Sequence, residues 1–127
     1  METLRQCLAV GVAGFFGALA RLLMARFCGV LFATTSFPVG TMVINLSGSL
    51  FLGWFLAVAG SRWAVSDLMR LAVATGFVGA YTTFSTFMYE SSKLIDDGST
   101  IQAMVNLVGS LVLGLIAVRF GIWLAGR

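Results

Sequence analysis

A chain of 127 residues that is 59% hydrophobic and 10% charged stands far from the roughly 25% charge of an ordinary soluble domain, so a water-soluble globule is excluded and an integral membrane protein expected. The net charge of +3 comes from basic residues spread along the chain without a run or stripe, which gives no reason to expect a nucleic-acid partner. Histidine is absent from the sequence, removing the commonest general base and the usual transition-metal ligand together, and no enzyme is expected.

The uncharged runs Gln6–Ala20, Phe27–Ser61, Leu71–Tyr89 and Gly98–Val118 have room for four spanning helices of about 20 residues each. We place them at approximately 4–27, 38–60, 68–93 and 100–124, in one all-α transmembrane domain covering 1–127. So small a bundle can hardly enclose a solute path alone. A homo-oligomer is therefore expected, a dimer being the simplest. Cys7 and Cys28 lie near opposite ends of the first helix, too far apart to pair, and are read as packing residues.

Met1 to Arg5 followed by an apolar run, with Ala18-Leu19-Ala20 downstream, has the outline of a signal peptide. Against that reading, Gly11, Gly14 and Gly17 recur every three residues and would set small residues along one side of a packed helix. The segment is kept as helix 1. Its uncharged run is too short to span without Arg21, which either snorkels to the interface or places a cation at the mouth of a water-filled vestibule, raising the local anion concentration.

Pro38 suits the first turn of helix 2, where Thr41, Asn45 and Gly48 or Ser49 share a face. A buried Asn45 in lipid either bonds across to another helix or offers an N–H donor to an anion. Ser66 or Asp67 is a helix N-cap candidate, and Trp63 sits at interface level.

Helix 3 carries Gly76-Phe77-Val78-Gly79-Ala80-Tyr81-Thr82-Thr83-Phe84-Ser85-Thr86-Phe87, a polar, glycine-broken patch at membrane depth. Glycine and β-branched residues together lower helix propensity from Gly79 to Thr83. A break there is tolerated only where protein buries it or it lines a cavity, and broken helices of this kind aim carbonyls at ions. Phe84 and Phe87, three apart, share a face that the same register extends to Thr83. Their positive ring edges can favour an anion, although packing is the plainer role. Glu90 and Lys93 can neutralise one another. Helix 4 has Asn106 and Ser110 one turn apart, with Gly109, Gly114 and Gly121 available for close packing.

Four spans put both termini on one side, so Arg5, Arg62, Arg70 and Arg127 count against Arg21, Arg26 and Lys93, with Arg119 inside the last turns of helix 4. The two sides are nearly level. Orientation follows an excess of Lys and Arg, so insertion in both directions and an antiparallel, dual-topology homodimer are expected.

No acid lies in the middle of any helix, which weighs against exchange coupled through an intramembrane carboxylate. Small multidrug transporters resemble this chain in size and four-helix plan, but they carry a membrane-embedded Glu in the first helix, where this chain has only Arg21. A structural subunit of a larger membrane complex is the remaining alternative.

In the stretch Gly76 to Phe87, with Gly40-Thr41-Met42-Val43-Ile44-Asn45-Leu46 and Gly14-Phe15-Phe16-Gly17-Ala18-Leu19-Ala20-Arg21, the chain closely resembles the Fluc (CrcB) fluoride channels over essentially its full length. The resemblance implies an antiparallel homodimer in the bacterial inner membrane, with helix 3 broken at mid-membrane and two pores exporting fluoride passively to give fluoride resistance. It implies that Phe84 and Phe87 coordinate fluoride by their ring edges and that Asn45 is a pore-lining donor. Thr83 and Ser85 would be hydroxyls near the path, and Arg21 the vestibule cation. The carbonyls of Gly79 and Thr82 would face a central structural Na⁺. A polar track in helix 4 would fall on Asn106 and Ser110. Gly114, the next position, has no hydroxyl, so this chain departs from a three-station track.

Overall fold

The computed structural model describes residues 1–61 and 63–127; Arg62, one of the charges counted toward orientation, lies outside the described residues. Helix α1 (Glu2–Leu31) runs beyond its expected end near 27, because 27–31 is apolar with only Gly29 to weaken it. It stops at Phe32, whose ψ of 32° leaves the helical region while its N–H still reaches Cys28 O. Helix α2 (Val39–Ser61) follows Pro38, whose carbonyl accepts the Met42 N–H at 3.2 Å. Ser66 caps α3 (Asp67–Leu71), its hydroxyl accepting the Met69 N–H at 3.3 Å.

The chain then winds as a π-helix over Ala72–Val78 and as a single α turn, α4 (Gly79–Tyr81). Thr82 (φ −80°, ψ 159°) and Thr83 (φ −148°, ψ 119°) are extended before α5 (Phe84–Asp96) begins. Gly98, at φ 78°, makes the left-handed turn that a side chain would resist, and α6 (Thr100–Ala125) closes the chain. Glu2–Leu31, Val39–Ser61, Asp67–Asp96 and Thr100–Ala125 are long and apolar enough to cross a membrane, and the described residues include no strand. The protein is an all-helical, multi-pass membrane protein.

Two close seams set the packing. Helix α1 lies on the π segment and α4, while α2 lies along α6. In the first seam Gly17 faces the Phe77 carbonyl, and Gly76 faces the Val10 carbonyl and the Ala13 methyl, so that a side chain at either glycine would collide with the opposite helix. In the second, Gly53 meets the Val118 backbone and Gly121 meets the backbone of Leu50 and Trp54. Lipid supplies no hydrophobic drive between helices, so small residues that let backbones approach are what hold such seams. Of the glycine stripe expected on helix 1, Gly14 and Gly17 join the seam, whereas Gly11 faces open space.

Apolar side chains cover the outer faces, among them Leu8, Phe15 and Leu23 on α1 and Val105, Leu111 and Leu115 on α6. The interior is mainly apolar, with Ile44, Phe55, Phe87 and Leu94 among its buried side chains, but Asn106 and Ser91 are fully buried within it. Arg70 reaches back to the last turn of α2, where its Nη2 donates to Ala59 O at 2.6 Å. A cation there answers both an orphan carbonyl and the negative end of the helix dipole.

Candidate functional site

Two extended residues between helices leave backbone groups that lipid cannot satisfy. Asn45 supplies the partners for both backbone groups of Thr83. Its Nδ2 donates to Thr83 O at 2.9 Å and its Oδ1 accepts the Thr83 N–H at 2.8 Å, the pairing that one strand would offer another. Of the two roles the sequence left open for Asn45, the structure shows the cross-helix bond, and one Nδ2 hydrogen remains beyond it. The diversion of the Thr83 N–H has a second effect. In an unbroken helix that group would close on Gly79 O, so the Gly79 carbonyl loses its helical donor.

The neighbouring threonines are tied into the same turn. Thr82 sends both its N–H and its hydroxyl to Val78 O, each at 2.9 Å, and its methyl sits on Gly48, where a larger residue would have no room. Thr83 is the N-cap of α5. Its Oγ1 accepts the Thr86 N–H at 3.2 Å, donates to Thr86 Oγ1 at 3.0 Å and lies 3.4 Å from Ser85 Oγ. Three hydroxyls thus gather at the positive end of a helix dipole. Tyr81 is held from α2, its hydroxyl 2.8 Å from Ser47 Oγ.

Phe84 and Phe87 occupy the first turn of α5 with ring centroids 6.1 Å apart and planes at 56°. They are neighbours in different surroundings: Phe87 is 5% exposed and Phe84 72% exposed. Packing fixes the Phe87 ring, while Phe84 projects from the single chain.

Along the buried face of α5, one turn beyond Phe87, runs a second polar line. The Ser91 hydroxyl donates to Phe87 O at 2.8 Å and accepts from Asn106 Nδ2 at 2.9 Å, and Asn106 Oδ1 receives the Ser110 hydroxyl at 3.5 Å. Sequence reasoning found Asn106 and Ser110 and missed Ser91. The available signal was its place one turn after Phe87, on the face that Phe87 buries.

Arg21 lines a cleft of about 390 Å³ with Thr41, Thr83, Thr86 and Glu90. This brings the expected vestibule cation into one space with Thr83, but Asn106 and Ser110 are not among the lining residues. Glu90 and Lys93 border a common crevice, yet Glu90 Oε2 is buried without a hydrogen-bond partner. Among the described residues no group of three or more acidic or cysteine side chains could hold a metal ion.

Residues 8–122 match the family described as CrcB-like protein, Camphor Resistance (CrcB). The chain is 42% identical over 118 residues to a fluoride-specific ion channel FluC of Chlorobium phaeobacteroides, across 93% of this chain and 91% of that one. It is 45% identical over 118 residues to fluoride-specific ion channel FluC 2 of Moorella thermoacetica, across 93% of each. The FluC of Methanocaldococcus jannaschii is 42% identical over 118 residues, across 93% of this chain and 92% of its own. These matches run from the first helix to the last and take in Asn45, the extended threonines and both phenylalanines, and the chain belongs to the CrcB family.

Proposed function

We propose that this protein is a fluoride-selective channel through which fluoride leaves the cell passively, conferring fluoride resistance. The observation that carries the reading is the polar turn at Thr82 and Thr83, held open by Asn45 and set beside the Phe84–Phe87 pair, in a chain 42–45% identical to proteins named fluoride-specific channels. Fluoride is small and strongly hydrated, so a dry path must replace its water. Hydroxyls of Thr83 and Ser85, the remaining Asn45 N–H and the positive edges of the two rings are suited to that. Arg21 concentrates the anion at the mouth. The Asn106–Ser110 track continues the path.

The working unit is an antiparallel homodimer of dual topology in the bacterial inner membrane, with two pores. A ring pair of which one member is 72% exposed is incomplete in a single chain, and the near-level distribution of basic residues removes the usual orientation signal. In this reading the Thr82–Thr83 turn is a mid-membrane break of the third span. The residues fit a small hard cation, since the Gly79 carbonyl has lost its helical donor and neutral oxygens are what a hard cation prefers. Gly79 and Thr82 carbonyls would hold Na⁺ on the dimer axis, where it would supply a fixed positive charge and join the two chains.

A coupled exporter of the small multidrug type is the second reading, favoured only by the buried, unpartnered Oε2 of Glu90. Fluoride efflux from liposomes bearing the purified protein, with a K⁺ ionophore for charge balance and chloride-loaded vesicles alongside, separates the two. Rapid fluoride loss with little chloride loss is expected. Failure of an intact dimer to move either ion, or transport that needs an imposed proton gradient and vanishes in Glu90→Gln, would favour the exporter.

A further inference from the structure

Each hydrogen bond in the line behind Phe87 forces the polarity of the next. The Phe87 carbonyl can only accept, so the Ser91 hydroxyl that meets it at 2.8 Å must donate. With its one hydrogen committed, Ser91 Oγ can only accept from Asn106, which obliges the carboxamide to turn Nδ2 toward it, at 2.9 Å. The carboxamide oxygen then has to face the other way, where it takes the Ser110 hydroxyl at 3.5 Å. Ser91 and Asn106 are each 1% exposed, so no water competes to reverse the order.

We propose that Ser91 is a specificity-setting positioning residue: by fixing the orientation of the Asn106 amide, it makes the Asn106–Ser110 track discriminate against anions that are weak hydrogen-bond acceptors. This rests on the fluoride-channel reading above and adds to it a residue that touches no ion. With the amide held as it is, an anion arriving at Ser110 finds the hydroxyl hydrogen engaged and a partial negative charge, Asn106 Oδ1, behind it. The engagement is long and easily surrendered. Fluoride, the smallest halide and the strongest acceptor, can draw the hydroxyl hydrogen to itself and sit clear of the carboxamide oxygen. Chloride is larger and accepts weakly, so it repays less for the same hydrogen and lies nearer the opposing charge. If the amide were reversed, Nδ2 would face Ser110, the hydroxyl hydrogen would be free, and both anions would be welcomed.

The test is the ratio of fluoride to chloride flux from liposomes, measured for Ser91→Ala, Ser91→Thr and each in a Ser110→Ala background. Ser91→Ala strands the Asn106 N–H against a methyl group and removes the bond that holds the amide in one orientation, so the reversed amide becomes accessible and the ratio should fall about fivefold to tenfold, the worth of one hydrogen bond, through a rise in chloride flux. Ser91→Thr keeps the hydroxyl and should restore the ratio to within about twofold. Without the Ser110 hydroxyl, Ser91→Ala should change the ratio no further. An unchanged ratio in Ser91→Ala, an equal fall in Ser91→Thr, or a full Ser91→Ala effect without the Ser110 hydroxyl would each overturn the proposal. Should Ser91→Ala fail to assemble, Asn106→Leu, which removes the oriented amide, must lower the ratio on its own; a retained ratio would refute the proposal. Wild-type protein that moved no fluoride would instead remove the functional reading, and this inference with it.

Discussion

Asn45 and Thr83, 38 positions apart in the chain, are joined by two hydrogen bonds of 2.8 and 2.9 Å in which one carboxamide satisfies both backbone groups of one residue. The pairing explains how a polar turn persists within a span: the cost of leaving the helix is met on α2. It also makes both backbone groups of Thr83 dependent on a single side chain.

Replacement of Asn45 by Ala should therefore act on stability as well as on transport. It leaves a part-buried N–H and C=O unpaired, at about 1–3 kcal/mol each. We expect a lower melting temperature in detergent, read by tryptophan fluorescence, together with loss of fluoride flux. Asn45→Asp keeps the acceptor for the Thr83 N–H but sets a second acceptor against Thr83 O, and should fare no better than Ala. Wild-type melting in both variants would show that the pair does not brace the turn.

The two phenylalanines should separate by environment. Phe87→Ala empties a packed site and should cost about 3–5 kcal/mol. Phe84 is 72% exposed in the single chain, so Phe84→Leu should leave the melt of the monomer fold nearly unchanged while cutting fluoride flux about tenfold or more, a loss of at least about 1.4 kcal/mol at the transport barrier. Normal flux in Phe84→Leu and in Phe87→Leu would refute the aromatic-pair role.

Gly17 faces the Phe77 carbonyl across the seam between α1 and the π segment. Gly17→Val must push the helices apart and should destabilise the fold by about 1–3 kcal/mol or more. Gly29, on the same helix with nothing within 4 Å of an added Cβ, is the control. Gly29→Ala should be neutral or slightly stabilising, by up to about 1 kcal/mol. Equal melting of the two variants would contradict the seam.

If Arg21 acts by concentrating anions, its effect must be screened by salt, since the Debye length is about 10 Å at 0.1 M and 3 Å at 1 M. Arg21→Gln should reduce fluoride flux at low ionic strength and lose much of that effect at high ionic strength. A deficit independent of salt would make Arg21 a packing or anchoring residue.

Dual topology is testable through charge. Thr34 and Thr35 lie between α1 and α2, and replacing both by Lys adds two positive charges to one side of a nearly level balance. Orientation should become biased, and the yield of functional dimer should fall. An undiminished yield would argue for parallel subunits.

Composition and the spacing of charges determined a great deal: an apolar run long enough to span has few alternatives to a helix, because lipid satisfies no backbone group. The four spans, the Ser66 cap and the polar character of the stretch from Gly76 to Phe87 were legible for that reason, each resting on residues within a few positions of one another. The end of α1 at Leu31 was not, since an apolar helix with no proline stops where packing and the turn geometry at Phe32 end it. Only the tertiary structure decided that Asn45 clamps Thr83, that Ser91 orients Asn106, and that Gly17 and Gly76 face opposing backbones while Gly11 faces nothing. A side-chain amide or hydroxyl bonds equally well to any partner of the right polarity. Which partner it meets depends on how two helices distant in the chain are brought side by side, and periodicity along either helix carries no record of that.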